Sequence, residues 1–279
     1  MNQHFVPEFY LKNFSPNGKQ IFVYDKILQK SFTSSISSVA SKDSFYHNSN
    51  NNSIENIIGN VEARTGIIIK KLIKKLENDQ FSKITFEEKD ILLKFIWLQM
   101  TRTIESRIQS GSIRPNLYSK LTNTTYEIDA NKMLKDIEII DGHIDFLNSS
   151  LENPFALSIL RSRNFIIVKN ETAVDLITSD DPVIKFTHSE IDHRLYELFI
   201  PINPKFGIWI IPKGFYLELD IADGILYLFK ENDNIAFYNH LQVYQSTRQL
   251  FSIKPNFYFA KEVLEKNPNF RNINKKRLD

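Results

Sequence analysis

The sequence has no cysteine among its 279 residues, and this absence excludes several kinds of site at once. Disulfides, cysteine-ligated zinc, iron–sulfur clusters and thiol nucleophiles all require cysteine. Glycine is also scarce, with 8 residues, and neither G-x-G-x-x-G nor G-x-x-x-x-G-K-[ST] occurs. Phosphate-binding loops need such glycines because the backbone must approach the phosphate closely. The sequence therefore disfavours thiol enzymes and nucleotide-binding proteins that use a glycine-rich loop.

Long apolar runs and a strong charge of one sign are missing as well. No stretch approaches the ~20 apolar residues that a membrane-spanning helix needs, and MNQHFVPEFY lacks the basic-then-apolar pattern of a secretory signal. The 35 basic and 33 acidic residues give a net charge of +2, whereas a domain that coats nucleic acid usually carries a larger basic excess. We therefore expect a cytoplasmic protein.

Aromatic residues are abundant by contrast. The chain has 22 Phe and 11 Tyr within a hydrophobic fraction of 42%, alongside 24% charged residues. This balance is ordinary for a globular protein, and each buried aromatic side chain removes roughly 150–250 Å² from water. We expect a sizeable core and predict a single domain over residues 1–279.

Helical periodicity characterises about residues 53–163. Asn52 with Glu55, and Thr85 with Glu88, have capping-box spacing and predict the starts of two long helices. The helices expected in this part cover about residues 52–78, 86–110 (ending near Gly111), 129–150 and 154–163.

Short apolar or alternating runs separated by turn residues fill about residues 164–253, among them YLELDI at 216–221. Such runs without intervening helices predict a mainly antiparallel sheet. Helical spacing returns over 232–252 and 257–266, and a hairpin of 21–24 with 30–33 is expected to pack on this sheet. The predicted fold is α+β, with an N-terminal β-hairpin, a central helical layer and a C-terminal, mainly antiparallel sheet closed by a helix.

Arg102 lies in an apolar stripe of the predicted 86–110 helix. At about 100° per residue, Ile91, Phe95 and Leu98 share its side, and a second apolar stripe lies opposite. A helix that is apolar on two faces is deeply buried, and a buried guanidinium needs an anion beside it. Arg102 is therefore predicted to bind a carboxylate, either as a structural ion pair or in a ligand pocket. The expected partner is Asp180, Glu62 or Glu55.

Two adjacent carboxylates, Asp180 and Asp181, follow an apolar run and precede Pro182. Carboxylates at a strand end can hold a divalent cation or act as a base. Ser, Asp and Pro are also common turn residues, and Asp180 would then bind local backbone N–H groups. Both interpretations stay open from the sequence alone.

Lys70, Lys71, Lys74 and Lys75 fall on one face of the first long helix. Such a face can attract a phosphate backbone or an anionic membrane surface, although an ordinary solvated face is the simpler interpretation. His188 and His193 are weak as a metal-ligand pair, because two ligands do not close a metal site. Trp97 and Trp209 lie in apolar runs and are most simply core residues.

The N-terminal residues resemble the sequence signature of a known family. The string QHFVPEFYLKNF at 3–14 resembles the QHxVPxFYLRxF signature of a mostly prokaryotic domain-of-unknown-function family, numbered 4238. The likeness continues through the segments IFVYDK (21–26), VASKDSFYH (39–47), LQMTR (98–102), ITSDDPV (177–183) and FIPINP (199–204).

The resemblance implies that the polar residues of these motifs matter, namely Gln3, His4, Glu62, Arg102, Asp180 and Asn239. Proteins of this sort resemble those of mobile elements and phage-defence islands, which favours an effector-type hydrolase such as a nuclease or phosphodiesterase. His4 would then be a general acid or base, Asp180 would orient it or hold a divalent cation, Glu62 would assist, and Arg102 would stabilise negative charge. The alternatives are a pocket for a small anionic ligand or partner, and a purely structural network.

Overall fold

The computed structural model describes residues 2–43, 45–46, 53–104, 106–107, 143–144, 147, 154–187, 196–272 and 275. Its helices are α1 (Glu8–Leu11), α2 (Ser53–Glu77), α3 (Phe86–Thr101), α4 (Pro154–Arg161), α5 (Asn232–Gln245) and α6 (Tyr258–Lys266). Its strands are β1 (Asn2–His4), β2 (Gln20–Asp25), β3 (Lys30–Ser35), β4 (Ser41–Asp43), β5 (Asn164–Asn170), β6 (Thr178–Ser179), β7 (Ile184–Thr187), β8 (Tyr196–Pro201), β9 (Phe206–Ile211), β10 (Leu226–Phe229) and β11 (Gln249–Ser252). This order confirms the α+β prediction.

The N-terminus is a strand. β1 pairs antiparallel with β4, with Asn2 opposite Asp43 and His4 opposite Ser41. The Phe5 backbone N–H then donates to the Ala40 carbonyl at 3.0 Å. Chain ends are ordinarily mobile unless they are held in place, and this ladder provides the first such contact.

The predicted hairpin is confirmed as β2 and β3, and it belongs to a four-stranded sheet of order β3-β2-β11-β6. Its partner strand β11 corrects the sequence analysis, which placed residues 246–252 in a helix. α5 instead ends at Gln245, and the chain extends through Leu250 and Phe251, both fully buried. Residues 249–252 form a strand because β11 pairs with both β2 and β6, whose backbone groups would otherwise lack a ladder partner.

A five-stranded sheet of order β10-β5-β9-β8-β7 forms the C-terminal half. It is antiparallel except that β10 runs parallel to β5. The predicted strand at 216–221 is wrong, because Leu217–Ala222 forms a 3-10 helix. The Asp220 carboxylate accepts hydrogen bonds from the Gly214 N–H and the Asn164 side-chain amide, and these bonds hold the segment as a turn.

The five-stranded sheet is buried on both faces. One face joins the main core with Leu93, Phe95 and Ile96 of α3, while the other face packs against Tyr238 and Leu241 of α5. Gly207 of β9 lies in close contact on the second face, because a Cβ there would lie 2.5 Å from the ring of Phe199. That ring is itself stacked 4.0 Å from Tyr238 and has little room to shift.

The start of α3 is the predicted capping box. The Thr85 side chain accepts from the Glu88 N–H, and the Glu88 carboxylate accepts from the Thr85 N–H. The helix ends earlier than predicted, at Thr101, and Arg102 is its C-cap residue. Gly111 lies outside the described residues, as does most of the predicted 129–150 helix.

Candidate functional site

Arg102 is fully buried, with 0% of its surface exposed. Its Nη1 donates to Glu62 Oε1 of α2 at 2.5 Å. Its Nε and Nη2 both donate to Gln99 Oε1, at 2.9 and 2.7 Å. The predicted pairing of Arg102 with a carboxylate is therefore confirmed, and the carboxylate is that of Glu62.

The same network binds the N-terminal segment. The Gln99 amide, which accepts from Arg102, donates to the Phe5 carbonyl at 2.8 Å. The Gln3 amide donates to Glu55 Oε1, and its oxygen accepts from the Tyr46 N–H at 2.6 Å. Gln3, Glu62 and Arg102 thus lie in one cluster that fixes β1 against α2 and α3.

His4 lies apart from this cluster. Its Nε2 is 3.4 Å from the Ile36 carbonyl and 3.9 Å from Glu8 Oε1, and 19% of its side chain is exposed. The ring therefore faces α1 and the turn before β4. The backbone carbonyl of His4, by contrast, accepts a hydrogen bond from the Tyr46 hydroxyl at 3.4 Å.

Asp180 is held by backbone N–H groups. Its two carboxylate oxygens accept from Thr247, Arg248 and Gln249 at 2.9, 2.8 and 3.0 Å. Its own N–H donates to the Gln249 carbonyl at 3.0 Å. The carboxylate thus joins the residues just after β6 to the segment that connects α5 with β11.

Asn239 has a similar bridging arrangement on α5. Its amide donates to the Asp175 carbonyl at 2.9 Å, and its oxygen accepts from the Ile177 N–H at 3.0 Å. Asn239 and Asp180 therefore both hold the segment 175–180 in place, Asn239 from α5 and Asp180 through the backbone before β11. Arg102 and Glu62 lie in the separate cluster with Gln3. Within the described ranges, no three His, Asp or Glu side chains come together in a way that could hold a metal ion.

Next to the Arg102 cluster lie two further buried side chains, Arg107 and His143. Arg107 is 8% exposed, and its guanidinium lies 3.6 Å from the centre of the Phe45 ring. Its Nε is 3.4 Å from Nδ1 of His143, whose Nε2 is 2.9 Å from the Thr101 carbonyl. Burial lowers the pKa of Arg107 to about 10.

Acidification from pH 7 to pH 5 is expected to lower the free energy of unfolding by about 2 kcal/mol through His143. Burial lowers the pKa of His143 from 6.5 to about 4, so the folded ring stays neutral while the unfolded chain takes up a proton. Stability rises with pH wherever the unfolded state binds more protons. The stability that depends on a neutral His143 ring is therefore fully present above about pH 6.5 and is lost progressively as the pH falls toward 4.

Urea denaturation of the wild type and of His143→Gln at pH 7 and pH 5 measures this effect. Gln can donate to the Thr101 carbonyl but does not titrate, so the variant should show the smaller pH dependence. Equal pH dependence in the two proteins would contradict the assignment to His143.

The lysine face of α2 is largely solvated. Lys70, Lys71 and Lys74 are exposed and Lys75 is half-buried. Lys71 forms an ion pair with Glu88 of α3 at 3.3 Å. His188 and His193 lie outside the described residues.

An open cavity of about 390 Å³ lies beside the start of α3. Its charged lining side chains include two opposite-charge pairs, Lys89 with Asp223 at 2.7 Å and Arg161 with Asp90 at 2.6 Å. Because these pairs satisfy one another, they offer little net charge to a ligand.

A second open cavity, of about 440 Å³, lies between the five-stranded sheet and α5. We call it the aromatic pocket; its lining residues are Phe186, Glu197, Trp209, Tyr216, Glu218, Leu219, Tyr227, Phe229, Asn234, Phe237 and Tyr238. The floor is buried, with Trp209, Phe229 and Tyr238 at 7%, 3% and 5% exposure. The rim is open, with Tyr227 and Phe237 at 39% and 40%.

Glu197 is the polar centre of the aromatic pocket and is 3% exposed. Its Oε2 accepts from the Trp209 indole N–H at 2.6 Å, and its Oε1 accepts from the Tyr216 hydroxyl at 2.8 Å. Tyr238 also hydrogen-bonds to it. Burial and the bond to Glu197 raise the pKa of both tyrosines, which therefore keep their hydroxyl protons and donate.

Comparison with known families identifies the chain at family level. The protein family of unknown function DUF4238 matches residues 2–255. The chain belongs to this family. Neither a curated protein nor a solved structure matches it. Among the described helices of this DUF4238 protein, none has the length and apolarity needed to cross a membrane.

The aromatic pocket was not predicted from the sequence, whereas the assignment of Trp209 to the core is confirmed by its burial. Glu197 gave a usable signal, because it is a carboxylate within the otherwise apolar run of β8. The pocket forms through the sheet register of the DUF4238 protein: Phe186 lies opposite Glu197, and Phe199 opposite Trp209. Glu197 and Trp209 therefore occupy a diagonal pair on neighbouring strands, within reach of long side chains.

Proposed function

We propose that this DUF4238 protein is a ligand-binding protein and that the aromatic pocket is its binding site. The observation that carries the proposal is Glu197, a carboxylate 3% exposed within an open cavity of about 440 Å³. Ligand sites are typically concave, about 300–1,000 Å³, and mostly apolar with a few placed polar groups. The aromatic pocket is concave, has a volume within this range, and combines aromatic rings with a few polar groups.

The exposed rim supports the proposal further. Tyr227 and Phe237 each leave about two-fifths of their surface in water, and covering such apolar area is favourable at about 25 cal/mol per Å². The floor below them is pre-formed, because Tyr238 stacks at 8° on Phe229, with 5.6 Å between their centres. A ligand would therefore gain contact area without reorganising the site.

Ligand-observed NMR with a panel of small aromatic, neutral and cationic fragments tests the proposal. We expect fragments to bind the wild type and to lose about fivefold or more in affinity in the variant Tyr227→Ala/Phe237→Ala, which removes two aromatic walls. Both side chains are partly exposed, so the variant should remain folded.

The matched control is Phe32→Ala on β3, because Phe32 is 41% exposed and lies outside the pocket. Fragment affinity should be unchanged in this variant. The proposal would be contradicted if no fragment binds the wild type, or if fragments bind Tyr227→Ala/Phe237→Ala as tightly as the wild type.

The hydrolase hypothesis, a nuclease or phosphodiesterase of a prokaryotic defence or toxin system, stays a prediction. It requires His4, Glu62, Arg102 and Asp180 to act on one substrate. The Arg102 guanidinium already binds Glu62 and Gln99, and Asp180 already accepts three backbone N–H groups. These contacts favour the alternative in which the polar residues of the family motifs are structural.

Three further expectations also stay predictions: a divalent cation at Asp180, nucleic-acid binding through Lys70, Lys71, Lys74 and Lys75, and a cytoplasmic location. The pairing of Lys71 with Glu88 neutralises one of the four lysine charges. A solvated helix face therefore remains the simpler interpretation of these lysines.

A further inference from the structure

We propose that the outer edge of β3 is an interface between two copies of this chain, whose β3 strands pair antiparallel about a two-fold axis. This edge belongs to the four-stranded sheet and lies outside the aromatic pocket, so the inference does not rest on the proposed ligand. It follows from the exposure of β3, the direction of its backbone groups, and the positions of its aromatic side chain and its charge.

β3 is the longest edge strand among the described residues. It ends the four-stranded sheet of order β3-β2-β11-β6, and residues 30–33 are exposed. Its six residues pair one to one with those of β2, so no bulge turns the edge away. Proteins ordinarily protect such an edge with charges, proline or a bulge. β3 contains no proline and a single charge, at Lys30, and its edge is therefore open to another strand.

The β2–β3 ladder shows which backbone groups face outward. The Ile36 N–H donates to the Lys19 carbonyl at 3.0 Å and continues the ladder by one pair. In an antiparallel ladder, successive residues of a strand direct their N–H and C=O groups to opposite sides. The even-numbered residues 30–34 therefore bond to β2, and Ser31 and Thr33 direct their backbone groups to the open edge.

The outward groups and Phe32 favour one register. With Phe32 on the two-fold axis, Ser31 of each copy lies opposite Thr33 of the other, and these two pairs form four backbone hydrogen bonds. The two Phe32 residues then face each other at a non-hydrogen-bonded position, where Cα atoms are about 4.5 Å apart and side chains are closest. Phe32 is 41% exposed, and it lies opposite the fully buried Val23, so its ring extends the core face to the edge. The pairing covers this ring.

Charge favours a second copy as the partner. In this register Lys30 lies opposite Ser34 of the other copy, so like charges do not meet across the ladder. The hydroxyls of Ser31 and Thr33 face each other, and such pairs stabilise neighbouring strands. A two-fold contact uses the same patch on both copies, and each outward donor of β3 finds its acceptor there. A register centred on Thr33 would set each Phe32 opposite Ser34 and keep the rings apart.

The size of the contact indicates a weak dimer. Besides the two strands, it includes the turn residues Ile27 and Leu28, which are 39% and 55% exposed. Two paired edges with these turns cover less than the roughly 1,200–2,000 Å² of stable complexes. The dimer is therefore expected to form in a concentration-dependent way.

Sedimentation velocity of the full chain from about 10 µM to about 1 mM tests the inference. We expect the wild type to shift from monomer to dimer across this range. Phe32→Lys should weaken the association about tenfold or more, because it removes the aromatic pair and sets two ammonium groups opposite each other. An equimolar mixture of Phe32→Lys and Phe32→Glu should restore it. The matched control is Leu228→Lys, at a side chain 36% exposed on the edge strand β10, and it should dimerise like the wild type.

Single cysteines report the register, because the chain has no cysteine of its own. Under mild oxidation, Phe32→Cys should form a cross-linked dimer faster than Thr33→Cys, because opposite Cα atoms about 4.5 Å apart suit a disulfide. Faster cross-linking of Thr33→Cys would overturn the pairing about Phe32.

Two sedimentation results would overturn the interface itself. One is a wild type that stays monomeric up to about 1 mM. The other is a dimer that Leu228→Lys dissociates and Phe32→Lys leaves intact. Fragment binding to the aromatic pocket should be the same in Phe32→Lys and the wild type, so failure of either proposal is seen separately from the other.

Discussion

Replacing Arg102 with methionine is expected to lower the free energy of unfolding by about 3 kcal/mol, the lower end of the range for breaking a buried ion pair, because the side chain of Glu62 is 26% exposed. The guanidinium is fully buried and donates hydrogen bonds to Glu62 and to Gln99. Methionine fills much of the same volume but leaves Glu62 without its cation. It also leaves the Gln99 oxygen without donors, so the contact from Gln99 to Phe5 weakens too.

Urea denaturation monitored by circular dichroism measures this loss. The matched control is Arg64→Met, which breaks an ion pair of α2 with Glu87 in which the side chains are 61% and 80% exposed. Exposed pairs contribute about 0–1 kcal/mol, so the control should be nearly neutral. An Arg102→Met protein of wild-type stability would show that the cluster is not structural and would restore Arg102 as a free ligand-binding group.

Replacing Asp180 with alanine is expected to lower the free energy of unfolding by about 3 kcal/mol, because buried backbone donors lose a charged acceptor. The N–H groups of Thr247, Arg248 and Gln249 all bond to this carboxylate. They lie where α5 turns into β11, so their loss should loosen the docking of β11 between β2 and β6.

Asp79→Asn is the control for Asp180, because Asp79 is 80% exposed and pairs with Lys169 at 3.0 Å on the surface. Hydrogen exchange at Leu250 and Phe251 reports whether β11 loosens in the Asp180 variant. The hydrolase hypothesis makes a different prediction, in which Asp180→Ala keeps full stability and abolishes an activity. Unchanged stability together with unchanged β11 protection would therefore refute the structural role.

Local signals predicted much of the fold. The Thr85 capping box, the β2–β3 hairpin and the apolar runs of the C-terminal sheet are each encoded within a few neighbouring residues. β11 was not predicted, because the residues that make it a strand are distant in the sequence. Its residues continue the spacing of α5, and only pairing with β2, more than 200 positions away in sequence, makes them a strand.

The sequence by itself determined the α+β class, the family likeness, the capped start of α3 and the need of Arg102 for a carboxylate. These follow from periodicity, capping chemistry and the cost of burying a charge, which are properties of short segments. The tertiary structure alone decided that the carboxylate is Glu62, that His4 and Asp180 lie outside that pair, and that Glu197 meets Trp209. Strand order and register place side chains from distant segments beside one another, and periodicity along one strand gives its faces but not its neighbours.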